Sequence, residues 1–306
     1  MADPSENRNL PSQEDVCAVI ITFNPDNEFH KRLSLVASQV RHVFIVDNHS
    51  TPDTFNNIRD AVSDKVEIIE NQSNLGIATA LNQGLRKASA SGFKWALTLD
   101  QDSVVDSDMV SRLLAIVRAN PTPQKIGVIG SNARSKISSQ LARRYDDSSG
   151  GYAEEKTVIT SGSLTSVPVY EKVGPFRDDF FIEGVDLEYC LRVRKHGFKV
   201  YCSRDALMTH SGGMGKEHRF FGKVVLVANH SPWRYYYMVR NFTAIVRMYF
   251  FSEFSWIIGS SINFLKTFVK ITAFEENKFR KYVAMAKGIK DGMFMRLVPK
   301  RMNKVA

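Results

Sequence analysis

Cysteine is scarce in this sequence: three in 306 residues, Cys17, Cys190 and Cys202, with no CxxC spacing among them. That argues against a thiolate zinc site or a disulfide framework and leaves buried, reduced thiols as the expectation. Long hydrophobic runs are also lacking. In the apolar region 233–272 the longest uncharged piece, Phe254 to Leu265, has 12 residues, and a transmembrane helix needs roughly 20. The opening MADPSENRNLPSQED has neither a basic n-region nor an apolar h-region, so residues 1–15 are expected to be disordered and not a signal peptide. GxGxxG is missing, which removes support for a dinucleotide fingerprint. Evenly spread positive charge is missing too, although the net charge is +9. Residues 1–241 hold 29 Lys and Arg against 28 Asp and Glu, whereas residues 242–306 hold 12 against 4. A nucleic-acid binder is not expected from an excess confined to one tail.

What is present is alternation. VCAVIITF (16–23), HVFIVDN (42–48), VEIIEN (66–71) and WALTLD (95–100) are short apolar runs rich in β-branched residues. Between them lie RLSLVASQV, NIRDAVSD and NLGIATALNQGLRKASASG, which have helical spacing, the last closed by Gly92. Near-continuous apolar strands alternating with helices predict an α/β fold with a parallel sheet covered on both faces. Beyond residue 130 the pattern loosens. Residues 131–151 are expected to be a mobile loop and 156–174 to have strand character. DLEYCLRVRKHG predicts a helix over about 186–196, ended by Gly197 and followed by the strand KVYC.

Ligands of such sheets bind outside the carboxyl ends of the strands. Those ends carry Thr22 and Asn24, Asp47 and Asn48, and Asp100 and Asp102; the helix after the third strand opens on Asn74 and Gly76. An isolated D-x-D pair is most often a solvated turn. At the end of an inner strand, residues i and i+2 point to one side, and two such carboxylates suit Mg²⁺ or Mn²⁺, which bind few carboxylates plus substrate phosphates. A second acidic pair, Asp186 and Glu188, heads the 186–196 helix. Acids there often serve as caps. Asp186 also follows a Phe/Ile run that would shield it and raise its pKa toward general-base use. His210, among small residues in MTHSGG, is as open to a structural role as to a ligand role. In the tail, Phe254, Ile257, Ile258, Leu265, Phe268 and Val269 share one helical face, with Ser255, Asn263, Lys266 and Lys270 mostly on the other. That pattern predicts an amphipathic segment on an anionic membrane surface, or a helix packed on the domain with a solvated basic face.

Several stretches carry a family resemblance: VIITFN (19–24), VDNHS (46–50), NLGIATALNQG (74–84), LTLDQDS (97–103), SGSL (161–164), FFIEGVDLEYCLR (180–192) and HSPWRYYYMVRN (230–241). In this order they resemble the inverting, GT-A-fold glycosyltransferases of family 2. Within that family they are similar to bacterial rhamnosyltransferases that build O-antigen and other surface polysaccharides. The resemblance implies a GT-A, Rossmann-like, mostly parallel sheet flanked by helices over residues 16–241, followed by a basic amphipathic helical tail, 242–306. It implies that Thr22 and Asn24 line the nucleotide pocket, Asp47 hydrogen-bonds the pyrimidine, and Asn74 opens the helix beside it. Asp100 would sit near the ribose and diphosphate. Asp102 would hold a divalent metal, Mg²⁺ or Mn²⁺, with His210 completing its shell. Asp186 would be the catalytic base, and Arg192 a structural or diphosphate-facing arginine. The family usually has Glu-Asp where this chain has Val185-Asp186, which puts the acceptor contact of that glutamate in doubt. The implied donor is a nucleotide sugar, dTDP-L-rhamnose first, with UDP-glucose, UDP-galactose, UDP-GlcNAc or GDP-mannose as alternatives. The implied acceptor is a polyprenyl-diphosphate-linked saccharide, met by a cytoplasmic enzyme held peripherally on the inner face of the bacterial cell membrane. A non-catalytic, nucleotide-binding membrane module on the same fold is the other alternative.

Overall fold

The structure, a computed structural model, describes residues 10–60, 63–135, 141, 143, 145, 151–210, 216–220 and 223–297. Strand and helix alternate through β1 (Val16–Thr22), α1 (Phe29–Ala37), β2 (His42–Asp47), α2 (Pro52–Arg59), β3 (Val66–Glu70), α3 (Ile77–Ala90) and β4 (Trp95–Asp100). A short β5 (Val104–Val105) and α4 (Met109–Ala119) follow. β1 lies between β2 and β4, and β2 pairs with β3, all in parallel. The register sets Thr22 level with Asp47 and Ile21 level with Asp100. Three polar strand ends therefore converge on one edge.

The second half contributes β6 (Ile126–Ser135), β7 (Tyr152–Glu154), β8 (Ser163–Ser166), α5 (Val167–Val173), α6 (Val185–Lys195) and β9 (Lys199–His210). Here the sheet turns mixed. β8 runs antiparallel to both β4 and β6, β9 is parallel to β6, and β5 and β7 are antiparallel to β9. The full order is β3-β2-β1-β4-β8-β6-β9-β5, with β7 also on β9. Of the stretch 156–174 only β8 is strand. Ser166 accepts the Val169 N–H and Pro168 sits in the first turn, which starts α5 at Val167. Residues 131–135 of the expected loop finish β6, and most of its remainder lies outside the described residues. The same holds for residues 1–9 of the expected disordered terminus, while Gln13–Asp15 form a 3₁₀ turn.

Both faces of the sheet are covered, which explains the unbroken apolar strands. Cys17, Val19 and Ile21 join a core with α3 and α6, and Val16, Ala18 and Ile20 join a second core with α1 and α4. Fully burying one such side chain stabilises by roughly 1.5–3 kcal/mol. Gly84 lets α3 lie directly on β1, since a Cβ there would stand 2.3 Å from Val19 Cγ1. The three thiols are free and buried in this body.

A small antiparallel ribbon, β10 (Lys216–Phe220) and β11 (Lys223–Val227), leads to α7 (Pro232–Tyr249), α8 (Phe254–Phe274) and α9 (Lys278–Phe294). α7 runs through residue 241, so the expected border between domain and tail falls inside one helix. α9 packs tightly on it: a Cβ on Gly292 would meet the Arg240 carbonyl oxygen at 2.4 Å. The chain after α9 is tied back by Arg177, which is fully buried and donates to the carbonyls of Arg296 and Leu297. α8 is different. Of its 21 residues only Ile257 and Ile271 are buried. Among the described residues, no helix is long and apolar enough to cross a membrane.

Candidate active site

At the carboxyl edge of the sheet a cleft of about 340 Å³ opens, lined by Thr22, Phe23, Asn48, Asn74, Gly76, Asp100, Gln101, Phe181 and Trp233 among others. Gln101 fastens the ends of β4 and β1, accepting from Phe23 N–H at 2.7 Å and donating to its carbonyl at 3.1 Å. Asn74 accepts the Gly76 N–H at 3.0 Å. Gly76 has φ +84°, and a Cβ there would stand 2.6 Å from Phe181, so glycine alone permits this close approach. Ile77 N–H then donates to the Phe181 carbonyl at 2.7 Å, joining the two walls.

Three of the residues expected in a nucleotide pocket are elsewhere engaged. Asp47 is fully buried and does not line the cleft. Its oxygens accept from Thr22 Oγ1 at 2.8 Å, Ser50 N–H at 2.8 Å and Ser50 Oγ at 2.5 Å. The sheet register that brings Asp47 to the edge also encloses it. The neighbouring Asn48 is the residue that faces the cleft. Asn24, at φ +52°, accepts from Thr51 N–H and Thr54 Oγ1, which fastens the β1 turn to the start of α2. Arg192 is buried and does not face a diphosphate. It makes a two-pronged pair with Glu188 at 3.0 and 2.9 Å and donates to the carbonyls of Val173, Gly174 and Pro175. Glu188, also bonded by Tyr249 Oη at 2.9 Å, is structural as well.

A second cleft, of about 200 Å³, continues from the first and shares Ile77, Asp100 and Ile182 with it. It holds Ser161, Glu183, Gly184, Asp186 and Arg234. Asp186 stands in the first turn of α6, with Leu187 N–H donating to its Oδ1 at 2.9 Å. Burial pushes its pKa up to about 6, and the carboxylates of Glu183 and Asp100 push the same way.

The loop before Asp186 bends sharply, with φ positive at Phe181, Glu183 and Gly184. α7 holds it there. The buried Asn241 reaches the carbonyls of Phe180, Ile182 and Glu183 at 2.9, 2.8 and 2.7 Å. Arg240 donates to the carbonyls of Asp179 and Phe180. Arg234 Nε pairs with Glu183 Oε1 at 2.5 Å. The WRYYYMVRN stretch, whose Arg and Tyr side chains suit a diphosphate or a sugar ring, supplies Arg234 and Trp233 to the clefts, whereas Glu183 is not expected from the sequence. The available signal for Glu183 was its place three residues before Asp186. A carboxylate that is missing from position 185 is present in the same cleft at 183.

Asp102 lies on the turn after β4, partly exposed, and among the described residues none hydrogen-bonds or ion-pairs with its carboxylate. β5 pairs with β9 so that Val104 faces Thr209. The ladder stops there, one residue short of His210 at the end of β9. The His210 side chain lies outside the described residues. Among them, no group of three His, Cys, Asp or Glu side chains forms a complete metal cage. Asp102 lines neither cleft, but it stands two residues from Asp100, which lines both, and a carboxylate free to turn toward bound phosphates suits Mg²⁺ or Mn²⁺, which draw remaining ligands from water and substrate phosphates.

Comparison with known proteins adds three findings. The family described as Glycosyl transferase family 2 matches residues 17–170. The dTDP-rhamnosyl transferase RfbF of Shigella flexneri is 29% identical over 244 residues, 76% of this chain and 80% of that protein. A solved structure described as the crystal structure of a mycobacterial protein superposes with a TM-score of 0.46 at 12% identity, over 76% of this chain and 74% of that one.

Proposed function

Because the chain belongs to glycosyl transferase family 2, we propose that it moves rhamnose from dTDP-L-rhamnose to a lipid-linked saccharide, with inversion, and that Asp186 is the base. The observation that carries this reading is Asp186 itself: one carboxylate with a raised pKa, in a cleft continuous with a larger one at the strand ends. The transfer needs a proton removed from the acceptor hydroxyl as it attacks the anomeric carbon. A single carboxylate on the far side of the sugar performs that step and inverts the centre.

The other side chains divide the remaining work. Phe23 and Trp233, each about half exposed, offer flat faces to a base in the larger cleft. Asn48 and Asn74 supply amide donors and acceptors there, and Asp100 reaches both clefts. Arg234, paired with Glu183, is the one Lys or Arg among the residues lining the two clefts and would meet the departing diphosphate. Asp102, with His210, would hold the divalent ion, which supplies positive charge to the leaving diphosphate. The name of the Shigella relative supports dTDP-L-rhamnose as donor. An O-antigen or other surface-polysaccharide role is part of this reading.

Seating at the inner face of the cell membrane is part of the reading. Phe251, Phe254, Ile258, Ile262, Leu265 and Val269 recur every three or four residues and are 42–95% exposed. Lys266 and Lys270 lie beside this stripe. An exposed apolar stripe flanked by cations suits an anionic lipid surface. The test is a transfer screen over nucleotide sugars with a lipid-linked acceptor, the product linkage being read by NMR. Turnover of UDP-sugars but not dTDP-rhamnose overturns the donor assignment. Undiminished turnover in excess EDTA overturns the role given to Asp102.

A further inference from the structure

The edge of the sheet carries a third cavity, and the family likeness does not account for it. It holds about 210 Å³ between α6, α7 and α8. Its walls are Leu187, Met238, Phe242, Ile245 and Phe264, with Phe242 and Phe264 stacked at 5.0 Å and 11° between planes. Ser260, Asn263 and Thr267 of α8 supply the few polar groups along one side.

Its place in the molecule is specific. It shares Glu183 and Gly184 with the cleft of Asp186, and shares nothing with the larger cleft at the strand ends. The three cavities therefore form a series, with the base in the middle. A nucleotide sugar laid in the first cleft brings its reacting carbon to the second. The acceptor must then approach from the remaining direction, and there the lining changes from carboxylates to hydrocarbon.

α8 explains what sort of acceptor fits. Ser260, Asn263, Phe264 and Thr267, at three- and four-residue spacing, face the cavity. The stripe from Phe254 to Val269 lies on the opposite side of the same helix and is exposed. One helix thus separates an apolar outer surface from a groove walled by Leu187, Met238, Phe242, Ile245 and Phe264 that meets the cleft of Asp186 at Glu183 and Gly184. A wholly hydrophilic acceptor has no use for such a groove. A saccharide joined through a phosphate to a hydrocarbon chain has a hydrophobic segment at the matching place.

We propose that the groove between α6, α7 and α8 is an acceptor subsite, which takes the first hydrocarbon segment of a lipid-linked acceptor whose sugar lies over Asp186. This rests on the glycosyl-transfer reading above. The groove has room for a short stretch of chain, so the rest of the lipid stays outside it, along α8.

The test uses the full-length protein and farnesyl diphosphate carrying a diazirine on its first isoprene unit. Photolysis should label Met238, Phe242 or Phe264. Asn263→Trp, which fills the groove from the partly solvated face of α8, should cut that labelling at least tenfold while nucleotide affinity, read by titration with dTDP, is unchanged. Ser260→Phe is a second route to the same block. In transfer assays both variants should raise the KM for a farnesyl-linked acceptor at least tenfold and leave the KM for its methyl-linked counterpart within twofold. Label confined to the outer stripe at Phe254, Ile258 or Leu265, and insensitive to both variants, overturns the subsite. So does an equal KM effect on the two acceptors, which would mean that the groove holds sugar. A wild type that binds dTDP but transfers to neither acceptor overturns the glycosyl-transfer reading instead, and the subsite falls with it.

Discussion

β1 and α8 are both apolar, and the fold uses them in opposite ways. All seven residues of β1 are buried, alternate ones in each of two cores. Only two of the 21 residues of α8 are buried. The strand lies in the middle of a sheet covered on both faces, so every side chain finds a packing partner. The helix meets α7, β11 and α9 along one side only, so the apolar stripe on its other side is left over. Composition is nearly silent on this difference, because burial depends on what the rest of the chain brings alongside. The strand end also positions Thr22 and Asp47 in a closed hydrogen-bonded cluster, whereas the helix presents an open stripe. One region is closed by its own hydrogen bonds and the other leaves its apolar side chains exposed.

The comparison is broken most severely at Asp186. Asp186→Asn keeps shape and hydrogen-bonding capacity but removes the base, and transfer should fall ~10²–10⁴-fold. Binding of dTDP, measured by calorimetric titration, should remain within a few-fold. A fall in dTDP affinity that matches the fall in rate would mean that Asp186 serves the donor and not the acceptor.

Next in size is Arg192→Ala. Removing the guanidinium leaves Glu188 charged and buried without its partner, and such a loss costs about 3–5 kcal/mol. Tm should drop accordingly, while dTDP affinity of the folded fraction should not move. A selective loss of dTDP affinity with Tm preserved would restore Arg192 to the diphosphate site and contradict its carbonyl contacts.

The outer stripe gives the third contrast. The doubly substituted Ile258→Glu, Leu265→Glu should reduce partition onto anionic vesicles at least tenfold, since each lost apolar contact is worth about 1.5–3 kcal/mol and each added carboxylate is repelled. Tm should hardly change, because both side chains are exposed. Cosedimentation with vesicles checks it, and unchanged partition would reassign the stripe to a protein partner. Point substitutions are preferable to truncation before α8. α9 packs on α7, and α7 holds the base loop through Arg240 and Asn241, so deleting residues 254–306 would disturb the catalytic cleft as well as the surface.

How much of this was legible in the sequence follows the same division. The first four strands and their order of use were legible, because an apolar run bounded by turn residues is a local signal. So were the positions of Asp100, Asn74 and Asp186 at the clefts. Side-chain direction was not. Asp47 lies at a strand end as expected, yet Thr22 and Ser50 enclose it, and that depends on a turn three residues long. Arg192 ends a recognisable motif, but its carbonyl partners come from the α5–α6 connection. The face of α8 was read nearly right; Ile257 was grouped with the outer stripe and is buried in the main core. The pairing of Glu183 with Arg234 was not legible because the two are 51 residues apart in the chain and meet only through the α7 packing. No periodicity reports such a pair.

pH separates the two uses of Asp186. Its pKa is raised from 3.8 to about 6, by burial first and then by Glu183 and Asp100. A base must be ionised to act, so kcat should fall about tenfold per pH unit below about 6. Stability runs the other way. A carboxyl with a raised folded pKa favours the folded state at pH below about 4, and that contribution is lost as pH rises through 6. Asp186→Asn removes the loss, so at pH 7.5 the variant should be more stable than the parent by on the order of 2 kcal/mol, and at pH 3 the two should be equal. Denaturant melts at both values check this. If the gain is the same at both, the raised pKa is not its source. Glu183→Gln offers the finer cut: it removes one of the two carboxylates acting on Asp186, so the pH at half-maximal kcat should move down. A profile unmoved by Glu183→Gln would leave burial and Asp100 as the causes.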